Sequence, residues 1–372
     1  MLLTIIAAIP LLIWIYLLTG RGGFWRISRH LLPVEPRALE KRVVAVIPAR
    51  NEAAVIGRCL KSLLEQSVSA VVVDDASADN TAPIARTLGP GVTVLQGQPL
   101  PSGWTGKLWA LSQGVSYASA LAPDYLLFSD ADIQHGPNSV AELVSVAEAS
   151  NCDLVSYMVK LPCVSLEEKA FIPAFVFFFL MLYPPEWIAS ERFQTAGAAG
   201  GCILIRPAAL QRIGGVSAIR SEVIDDCALA RAVKRSGGRI WMGLTTSTRS
   251  MRAYGSFSEI GRMISRTAFN QLHHSFLLLV GTLLGLFFTF LFPPILLFSG
   301  HLIPALLGSA AWLLMSISYL PMLRFYERSP LWSLCLPAVA AFYAGATIRS
   351  ALQYWRGKGG EWKGRVQDAR TS

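Results

Sequence analysis

Charged residues are scarce in this chain. Only 15% of its 372 residues are Asp, Glu, Lys or Arg, whereas 53% are hydrophobic, and the mean hydropathy is +0.45. This balance excludes an ordinary soluble protein of this length.

The six cysteines include no Cys-x-x-Cys pair, so a zinc signature is missing and free thiols in a reducing compartment are expected. The formal net charge of +9 accompanies no nucleic-acid-binding motif. We therefore expect no nucleic acid partner and assign the basic residues to anionic lipid headgroups.

The hydrophobic excess is concentrated in four long apolar runs. They cover residues 2–18, 276–298, 302–323 and 331–348, and each is about long enough to cross a bilayer as a helix. The first run lacks a charged segment before it and a small-residue cleavage site after it, which indicates a retained anchor rather than a signal peptide. Arg21, Arg26 and Arg29 follow it. The positive-inside rule then predicts a cytoplasmic central domain, held at a bacterial-type inner (plasma) membrane.

The region between these runs alternates short apolar segments with helical patterns. Strand patterns cover residues 42–48, 70–73, 92–95 and 125–128, with apolar residues at helical spacing between them. This alternation predicts an α/β domain with a Rossmann-like, mostly parallel sheet. We place an anchor at residues 1–20, a linker at 21–41, the α/β domain at 42–256, an amphipathic interfacial helix at 257–275, transmembrane helices at 276–353 and a basic tail at 354–372.

Two carboxylates one residue apart follow the last of these strand patterns. Asp130 and Asp132 flank Ala131 at the end of residues 125–129. Open α/β sheets bind ligands at the carboxyl ends of parallel strands, and two acidic groups there repel each other unless a cation lies between them. Their oxygen ligands suit Mg²⁺ or Mn²⁺, and such a metal suits a substrate that carries phosphates. The alternative is a solvated turn.

Two more acidic pairs occur along the chain. Asp74-Asp75 ends the second strand pattern, where the carboxylates can accept hydrogen bonds from a base or from ribose hydroxyls, or can cap a helix. Asp225-Asp226 precedes a helical pattern. One of these carboxylates could deprotonate an acceptor hydroxyl as a general base, or both could simply favour the helix N-terminus through its dipole.

A basic stripe follows the predicted domain. Arg262 and Arg266 lie one helical turn apart in the amphipathic stretch 257–276. They could hold a leaving diphosphate, or they could rest on the membrane surface.

Taken in order, these clusters resemble the family 2 glycosyltransferases, which have a GT-A fold. The resemblance covers about residues 43–270. Its matching strings are residues 46–52, 73–81, 106–111, 129–132 and 225–229. More narrowly, the anchor, the C-terminal apolar runs and the string Trp362-Lys363-Gly364-Arg365 resemble the hopanoid-biosynthesis-associated glycosyltransferases.

The resemblance implies a role for each cluster. Asp130 and Asp132 would hold the nucleotide ribose and a metal on the diphosphate, and Asp226, beside Asp225, would be the base. The family's Gln-x-x-Arg-Trp motif is not clean here, because no Trp follows Arg262 or Arg266, and this disfavours a processive polymerase. Binding of the nucleotide sugar would fall to Glu52, Asp74 and Asp75 at the nucleoside, and further to Pro48, Ala49, Arg50, Lys107, Ala131, Arg262 and Arg266.

The expected activity is therefore an inverting hexosyl transfer from a nucleotide sugar, with a UDP-sugar as the expected donor. Membrane flanks favour a lipid acceptor of the hopanoid or polyprenyl type over a polysaccharide or another non-lipid acceptor. A sugar-1-phosphate nucleotidyltransferase is a weaker alternative, since the domain starts Ile47-Pro48-Ala49-Arg50 rather than with a Gly-rich loop. A transporter or membrane scaffold is disfavoured because the apolar runs carry almost no ionisable residues.

Two segments leave the membrane topology open. Residues 171–182 are strongly apolar within the domain, and we interpret them as interfacial, re-entrant or substrate-lining, with a buried core helix as the alternative. Three C-terminal spans would put the tail outside, although its basic residues Arg356, Lys358, Lys363, Arg365 and Arg370 favour the inside. One run is thus expected to be re-entrant, and Pro293-Pro294 points to the first of the three.

Overall fold

The computed structural model describes residues 2–31, 38–357, 359–362 and 365–368. Part of the predicted linker (32–37) and, in the basic tail, Lys358, Lys363, Gly364 and residues 369–372 lie outside the described residues. The strands are β1 (Val43–Ala49), β2 (Ser69–Asp74), β3 (Val92–Gln96), β4 (Tyr125–Ser129), β5 (Ile133–Gln134), β6 (Leu154–Lys160), β7 (Cys202–Ile205), β8 (Ile240–Ser250), β9 (Gly359–Trp362) and β10 (Arg365–Asp368).

The helices of the first half are α1 (Leu2–Gly20), α2 (Ile56–Leu64), α3 (Thr81–Arg86), α4 (Gly106–Ser119), α5 (Ser139–Ala149), α6 (Leu166–Leu182) and α7 (Pro185–Ala189). Those of the second half are α8 (Pro207–Arg212), α9 (Asp225–Arg235), α10 (Phe257–Ser265), α11 (Ala268–Gln271), α12 (Phe276–Leu286), α13 (Phe292–Leu296), α14 (Leu302–Phe325) and α15 (Leu336–Trp355). A π-helix (Phe287–Leu291) joins α12 to α13.

Eight strands form one mixed sheet in the order β3-β2-β1-β4-β7-β6-β8-β5. The pairs β3–β2, β2–β1, β1–β4 and β6–β8 are parallel, whereas β7 runs antiparallel between β4 and β6, and β5 pairs antiparallel with β8. The strands β1 and β4 are buried along their whole length, as expected of parallel strands covered on both faces. The predicted α/β class and mostly parallel sheet are confirmed.

Alternate residues of β1 enter two different hydrophobic cores. Val43, Ala45 and Ile47 join a core under α2 and α5, while Val44 and Val46 face the opposite side with α4. On that side Gly114 of α4 permits close packing, because a Cβ there would lie 2.4 Å from Val46 Cγ1. Both cores therefore hold β1 rigidly, and its carboxyl end becomes a fixed platform.

The apolar segment predicted at 171–182 belongs to α6, a buried helix between the sheet domain and the apolar helices. Ser165 and Glu168 cap its start with reciprocal hydrogen bonds. Phe177 is fully buried, and its ring centroid lies 5.3 Å from that of Phe24 and 5.1 Å from that of Tyr319 in α14. The alternative of a buried core helix fits most of α6, and one face of it also lines a cavity described below.

Among the described residues, five helical segments are long and apolar enough to cross a membrane. They are Leu2–Gly20, Leu166–Ala189, Phe276–Leu296, Leu302–Phe325 and Pro330–Trp355.

Part of the predicted linker after α1 packs against the rest of the protein. Arg21 donates to the Met181 carbonyl at the end of α6 over 3.0 Å, and Ile27 is buried.

The prediction of a single amphipathic helix at 257–275 is wrong, because α10 ends at Ser265 and α11 spans only Ala268–Gln271. The break has a packing cause. Phe269 is 1% exposed in a cluster with α15, and its backbone N–H donates to Ser350 Oγ over 3.0 Å. His273 and His274 then adopt positive φ angles of 50° and 55°, which end the second helix.

Candidate active site

A cavity of about 260 Å³ opens at the carboxyl ends of β1, β4 and β6. Several chain segments that are far apart in sequence meet here, as expected for the ligand edge of an open α/β sheet. The acidic residues that line it are Glu52, Asp130, Asp132, Glu222, Asp225 and Asp226. So many carboxylates in one small space require cations beside them.

Lys107 is the cation that joins two of the acidic clusters. It is the second residue of α4, whose N-cap Thr105 accepts from the Leu108 N–H. Its Nζ lies 2.9 Å from Asp130 Oδ1 and 3.0 Å from Asp225 Oδ2. Burial alone would lower the pKa of Lys107, but Asp130 and Asp225 raise it above its ordinary value. Lys107 is therefore a permanent positive charge between the end of β4 and the start of α9.

Asp226 is fixed at the N-terminus of α9 by backbone donors. Its Oδ2 accepts from the Gly200 N–H over 2.8 Å and its Oδ1 from the Cys227 N–H over 2.7 Å. Burial, together with Asp225, raises the pKa of Asp226 to about 6, and Lys107 opposes the rise. A carboxylate with this pKa is ionised at neutral pH yet basic enough to take a proton.

Asp132 faces an arginine that the sequence motifs did not identify. Arg252 Nε lies 3.7 Å from Asp132 Oδ2, and Arg252 Nη2 lies 4.0 Å from Glu52 Oε1. The contact follows from the β5–β8 pairing, in which the Met251 N–H donates to the Asp132 carbonyl over 2.7 Å. Burial raises the pKa of Asp132 to about 6, with Asp130 adding to the rise and Arg252 opposing it.

The predicted nucleoside residues lie beside this cavity rather than all within it. Pro48 and Ala131 line it, whereas its lining does not include Ala49, Arg50, Asp74 or Asp75. Arg50 Nη1 donates to the Asp75 carbonyl over 2.6 Å and lies 3.5 Å from Asp75 Oδ2. Asp74 is 4% exposed, and its Oδ1 has no hydrogen-bond partner among the described residues.

The loops around these residues hold each other in place. Asn51 donates its N–H to Ser77 Oγ over 2.9 Å and accepts from the Ala78 N–H over 2.8 Å. Its φ of 54° is a left-handed conformation that asparagine tolerates well. The Glu52 N–H donates to Thr81 Oγ1 over 2.7 Å. The segments after β1 and β2 thus form one rigid unit at the sheet edge.

The two predicted diphosphate arginines have different surroundings. Arg266 lines the cavity together with Tyr254. The structure does not bring Arg262 to the cavity lining. Its side chain is 59% exposed and lies 3.8 Å from Glu259, three residues earlier in α10. The position of Arg262 therefore gives no support to the prediction that both arginines hold the leaving diphosphate.

One wall of the cavity is apolar. Phe175 and Phe179 of α6, Met263 of α10, and Met158 and Leu161 beside the end of β6 line it. The acidic residues and Lys107 line the same space. A bound molecule would therefore meet charged groups on one side and hydrocarbon on the other.

The donor set fits a metal that is shared with a substrate. Among the described residues, no three His, Cys, Asp or Glu side chains are placed to bind one ion. Asp130 and Asp132 can still supply oxygen ligands, with substrate phosphates and water completing the shell as in many Mg²⁺ sites. The raised pKa of Asp132 is the observation that favours this fit, because a divalent cation would stabilise its charged form.

Comparison with known proteins places this architecture in a class. The structure resembles the mannosyltransferase PcManGT from Pyrobaculum calidifontis in complex with GDP-Man and Mn²⁺, with a TM-score of 0.55. The match covers 94% of this chain and 98% of that chain at 18% sequence identity. The fold is thus the GT-A fold of glycosyltransferases.

Sequence comparison finds similar proteins for the central domain. Residues 44–214 match the family described as Glycosyl transferase family 2, a match that covers a little under half of the chain. The chain is 40% identical over 94 residues to 4,4'-diaponeurosporenoate glycosyltransferase from Staphylococcus haemolyticus, covering 25% of this chain and 24% of the relative. It is 34% identical over 114 residues to an uncharacterised protein of Methanocaldococcus jannaschii, covering 30% of this chain and 50% of that protein. The alignments therefore span between a quarter and a half of these relatives.

Proposed function

We propose that this protein is a membrane-bound, inverting glycosyltransferase that moves a sugar from a nucleotide-sugar donor to the hydroxyl of a lipid. The observation that carries the proposal is the two-sided cavity, in which Lys107 and the carboxylates oppose the apolar wall of Phe175 and Phe179. A diphosphate with its metal suits the first side, and a hydrocarbon skeleton suits the second.

The acidic residues take different parts in donor binding. Asp130 and Asp132 would hold a Mg²⁺ or Mn²⁺ ion, which would supply charge neutralisation for the departing diphosphate. Asp74 and Asp75, at the end of β2, would receive the nucleoside, since their carboxylates can accept hydrogen bonds from a base or from ribose hydroxyls. We propose a UDP-sugar as the first donor to assay, with GDP-mannose, named for the structural neighbour, as the second.

The reaction is a single displacement at the anomeric carbon. The acceptor oxygen attacks that carbon as the bond to the diphosphate breaks, and the nucleoside diphosphate leaves with the bonding electrons. Asp226 takes the proton of the acceptor hydroxyl, for which its pKa of about 6 is well suited. Lys107 remains charged throughout and positions Asp130 and Asp225. Attack from the face opposite the leaving group inverts the anomeric centre.

A lipid acceptor is supported from two directions. Three residues of the apolar cavity wall belong to α6 and α10, which pack against the apolar helices. In addition, the relatives from Staphylococcus are named for a carotenoid acceptor. Within this lipid class we propose a hopanoid or a polyprenyl compound as the acceptor, with catalysis at the cytoplasmic face of the membrane.

The test is mass spectrometry of membrane lipids from cells with the wild-type protein, with Asp226→Asn and with neither. The wild type should produce a lipid whose mass is increased by one hexose, and Asp226→Asn should not, while still binding the nucleotide sugar with nearly unchanged affinity. Asp226→Asn keeps the size of the side chain and one acceptor oxygen, so one of the hydrogen bonds from the Gly200 and Cys227 N–H groups is retained and the other is lost. An unchanged lipid profile with sugar appearing in a soluble polymer would overturn the lipid acceptor. Wild-type turnover by Asp226→Asn would overturn the base.

A further inference from the structure

A buried cluster of polar side chains lies beneath the turn that carries Asp130 and Asp132. Ser62 of α2, Ser129 at the end of β4 and His135 directly after β5 are 7%, 2% and 3% exposed. Burying polar groups is unfavourable unless each of them finds a hydrogen-bond partner. The proposed reaction uses none of these three side chains, so their place next to the acidic turn needs a separate explanation.

The hydrogen bonds within the cluster have a defined direction. Ser129 Oγ lies 3.1 Å from the Asp130 carbonyl oxygen, and because a carbonyl only accepts, the single hydroxyl hydrogen of Ser129 points there. The same Oγ lies 2.9 Å from His135 Nε2, so His135 must be the donor in that contact. Burial lowers the pKa of His135 to about 4, so the imidazole is neutral at physiological pH and carries its one proton on Nε2.

The backbone of His135 is held as firmly as its ring. Its N–H donates to Ser62 Oγ over 3.0 Å, and the Ser62 hydroxyl in turn donates to the Cys59 carbonyl over 2.7 Å. Both of these partners belong to α2. The imidazole is therefore a fixed donor, anchored on a helix of the domain core.

The contacts of the cluster converge on one peptide oxygen. The Asp130 carbonyl accepts from Ser129 Oγ and also from the Ile133 N–H over 3.3 Å. The Cys59 thiol is a weaker third donor at 3.7 Å. The bond to the Ile133 N–H closes a four-residue turn that contains both acidic residues. Fixing this turn fixes the directions of the Asp130 and Asp132 side chains, whose mutual repulsion would otherwise favour spreading them apart.

We propose that His135 is a positioning residue for the metal site: through Ser129 it holds the turn in the shape in which Asp130 and Asp132 bind one divalent cation. The inference rests on the proposed function, since it requires Asp130 and Asp132 to be the metal-binding pair. His135 itself contacts neither the metal nor the substrate. Residues behind metal ligands orient those ligands, and their loss typically costs about 10–100-fold in metal affinity.

Calorimetric titration of Mn²⁺ into the full-length protein at pH 8, in the presence of UDP or GDP, tests this role. His135→Leu removes the donor to Ser129, and we expect it to weaken Mn²⁺ binding by about 10–100-fold. His135→Gln should stay within about threefold of the wild type, because its amide nitrogen is as many bonds from Cα as Nε2 is and can donate to Ser129 Oγ. A Mn²⁺ affinity of His135→Leu equal to that of the wild type would overturn the proposal.

The matched control is His30→Leu. His30 is also 3% exposed, its Nε2 lies 3.2 Å from the Gly23 carbonyl oxygen, and the described lining of the cavity does not include it. This variant loses the same kind of buried contact but should keep the wild-type Mn²⁺ affinity. Equal weakening in both histidine variants would show a general loss of stability and refute a specific role for His135.

Ser129→Ala keeps the test decisive if His135→Leu does not fold. It removes the hydroxyl that joins the imidazole to the Asp130 carbonyl and leaves the ring in place. It should also weaken Mn²⁺ binding, and the transfer activity that it loses should return when the Mn²⁺ concentration is raised in proportion to the dissociation constant. Wild-type Mn²⁺ affinity in Ser129→Ala would overturn the proposal.

The wild-type titration separates this inference from the proposed function. If the wild type binds no Mn²⁺ with either nucleotide, the metal site of the proposed function is wrong and the role of His135 falls with it. If the wild type binds Mn²⁺ and His135→Leu binds it equally well, the metal site stands and only the role of His135 is wrong.

Discussion

Replacing Lys107 with methionine should move the acid limb of the transfer reaction to higher pH. Methionine keeps the length and volume of the side chain but removes the charge between Asp130 and Asp225. In the wild type, burial and Asp225 raise the pKa of Asp226 to about 6, while Lys107 holds it down. Without Lys107 only the hydrogen bonds from the Cys227 and Gly200 N–H groups still oppose burial and Asp225, so the pKa of Asp226 must increase.

The size of the shift follows from the proximity of the charges. An opposite charge within about 4–6 Å moves a carboxyl pKa by roughly 1–3 units, so the pKa of Asp226 should rise to between about 7 and 9. As the proposed base, Asp226 would work only when ionised, so activity should be lost as pH falls through this pKa. At pH 7 the ionised fraction should drop by about twofold to about 90-fold, and raising the pH should restore it.

The assay is the pH dependence of kcat/KM for hexose transfer between pH 5 and pH 10. The control is Lys160→Met, because Lys160 is similarly shielded (16% exposed, against 19% for Lys107) and pairs with Glu327 over 3.3 Å. That variant should keep the wild-type limb. A Lys107→Met enzyme whose activity falls equally at every pH, with its acid limb unmoved, would show that Lys107 serves donor binding alone and does not tune Asp226.

Protein stability must be measured alongside. Removing one partner of a fully buried ion pair costs about 3–5 kcal/mol. Asp130 is 36% exposed, so solvent screens part of this cost and we expect about 2 kcal/mol from thermal unfolding in detergent. A loss of this size leaves the protein folded at the assay temperature.

Two further variants test other parts of the site. The Arg252→Gln variant should bind Mn²⁺ severalfold more tightly than the wild type, because Arg252 competes with the metal for Asp132 in the free protein. Calorimetry at pH 8 without nucleotide measures this affinity, and unchanged or weaker binding would contradict the expectation. Glu168→Ala should lower the free energy of unfolding by about 3 kcal/mol, since the Val164, Ser165 and Tyr254 N–H groups lose their acceptor, and an unchanged melting temperature would refute that reading.

Two of the strands that were predicted, β1 and β4, share one physical property. Residues 43–49 and 125–129 are continuous apolar runs because their strands are covered on both faces, and such runs are visible without any alignment. By contrast, β7 is only four residues long and no strand was predicted there. Its antiparallel place between β4 and β6 depends on contacts with residues far away in the chain, which leave no local pattern.

The residues of the candidate site show the same difference between local sequence signals and long-range contacts. The acidic pairs Asp74-Asp75 and Asp130 with Asp132 were identified because parallel strands end at one edge of a sheet. Arg252 was missed because it is a lone arginine whose position is set by the pairing of β5 with β8. Arg262 was included because helical spacing alone places it near Arg266, although it pairs with Glu259 at the surface.

The charge balance of the cavity explains why donor and metal should bind together. Three cations, Lys107, Arg252 and Arg266, line a space that also contains six carboxyl groups. At a pH above the values of about 6 for Asp132 and Asp226 the lining is therefore net negative, and a bare diphosphate would be repelled. A divalent ion on Asp130 and Asp132 would reverse this locally and would at the same time release Arg252, which pairs with Asp132 in the free protein, towards the phosphates. Since each ligand would reduce the charge repulsion that opposes the other, the binding of the metal and of the nucleotide should be coupled. Thermodynamic linkage then requires one common factor: the nucleotide raises the metal affinity as much as the metal raises the nucleotide affinity.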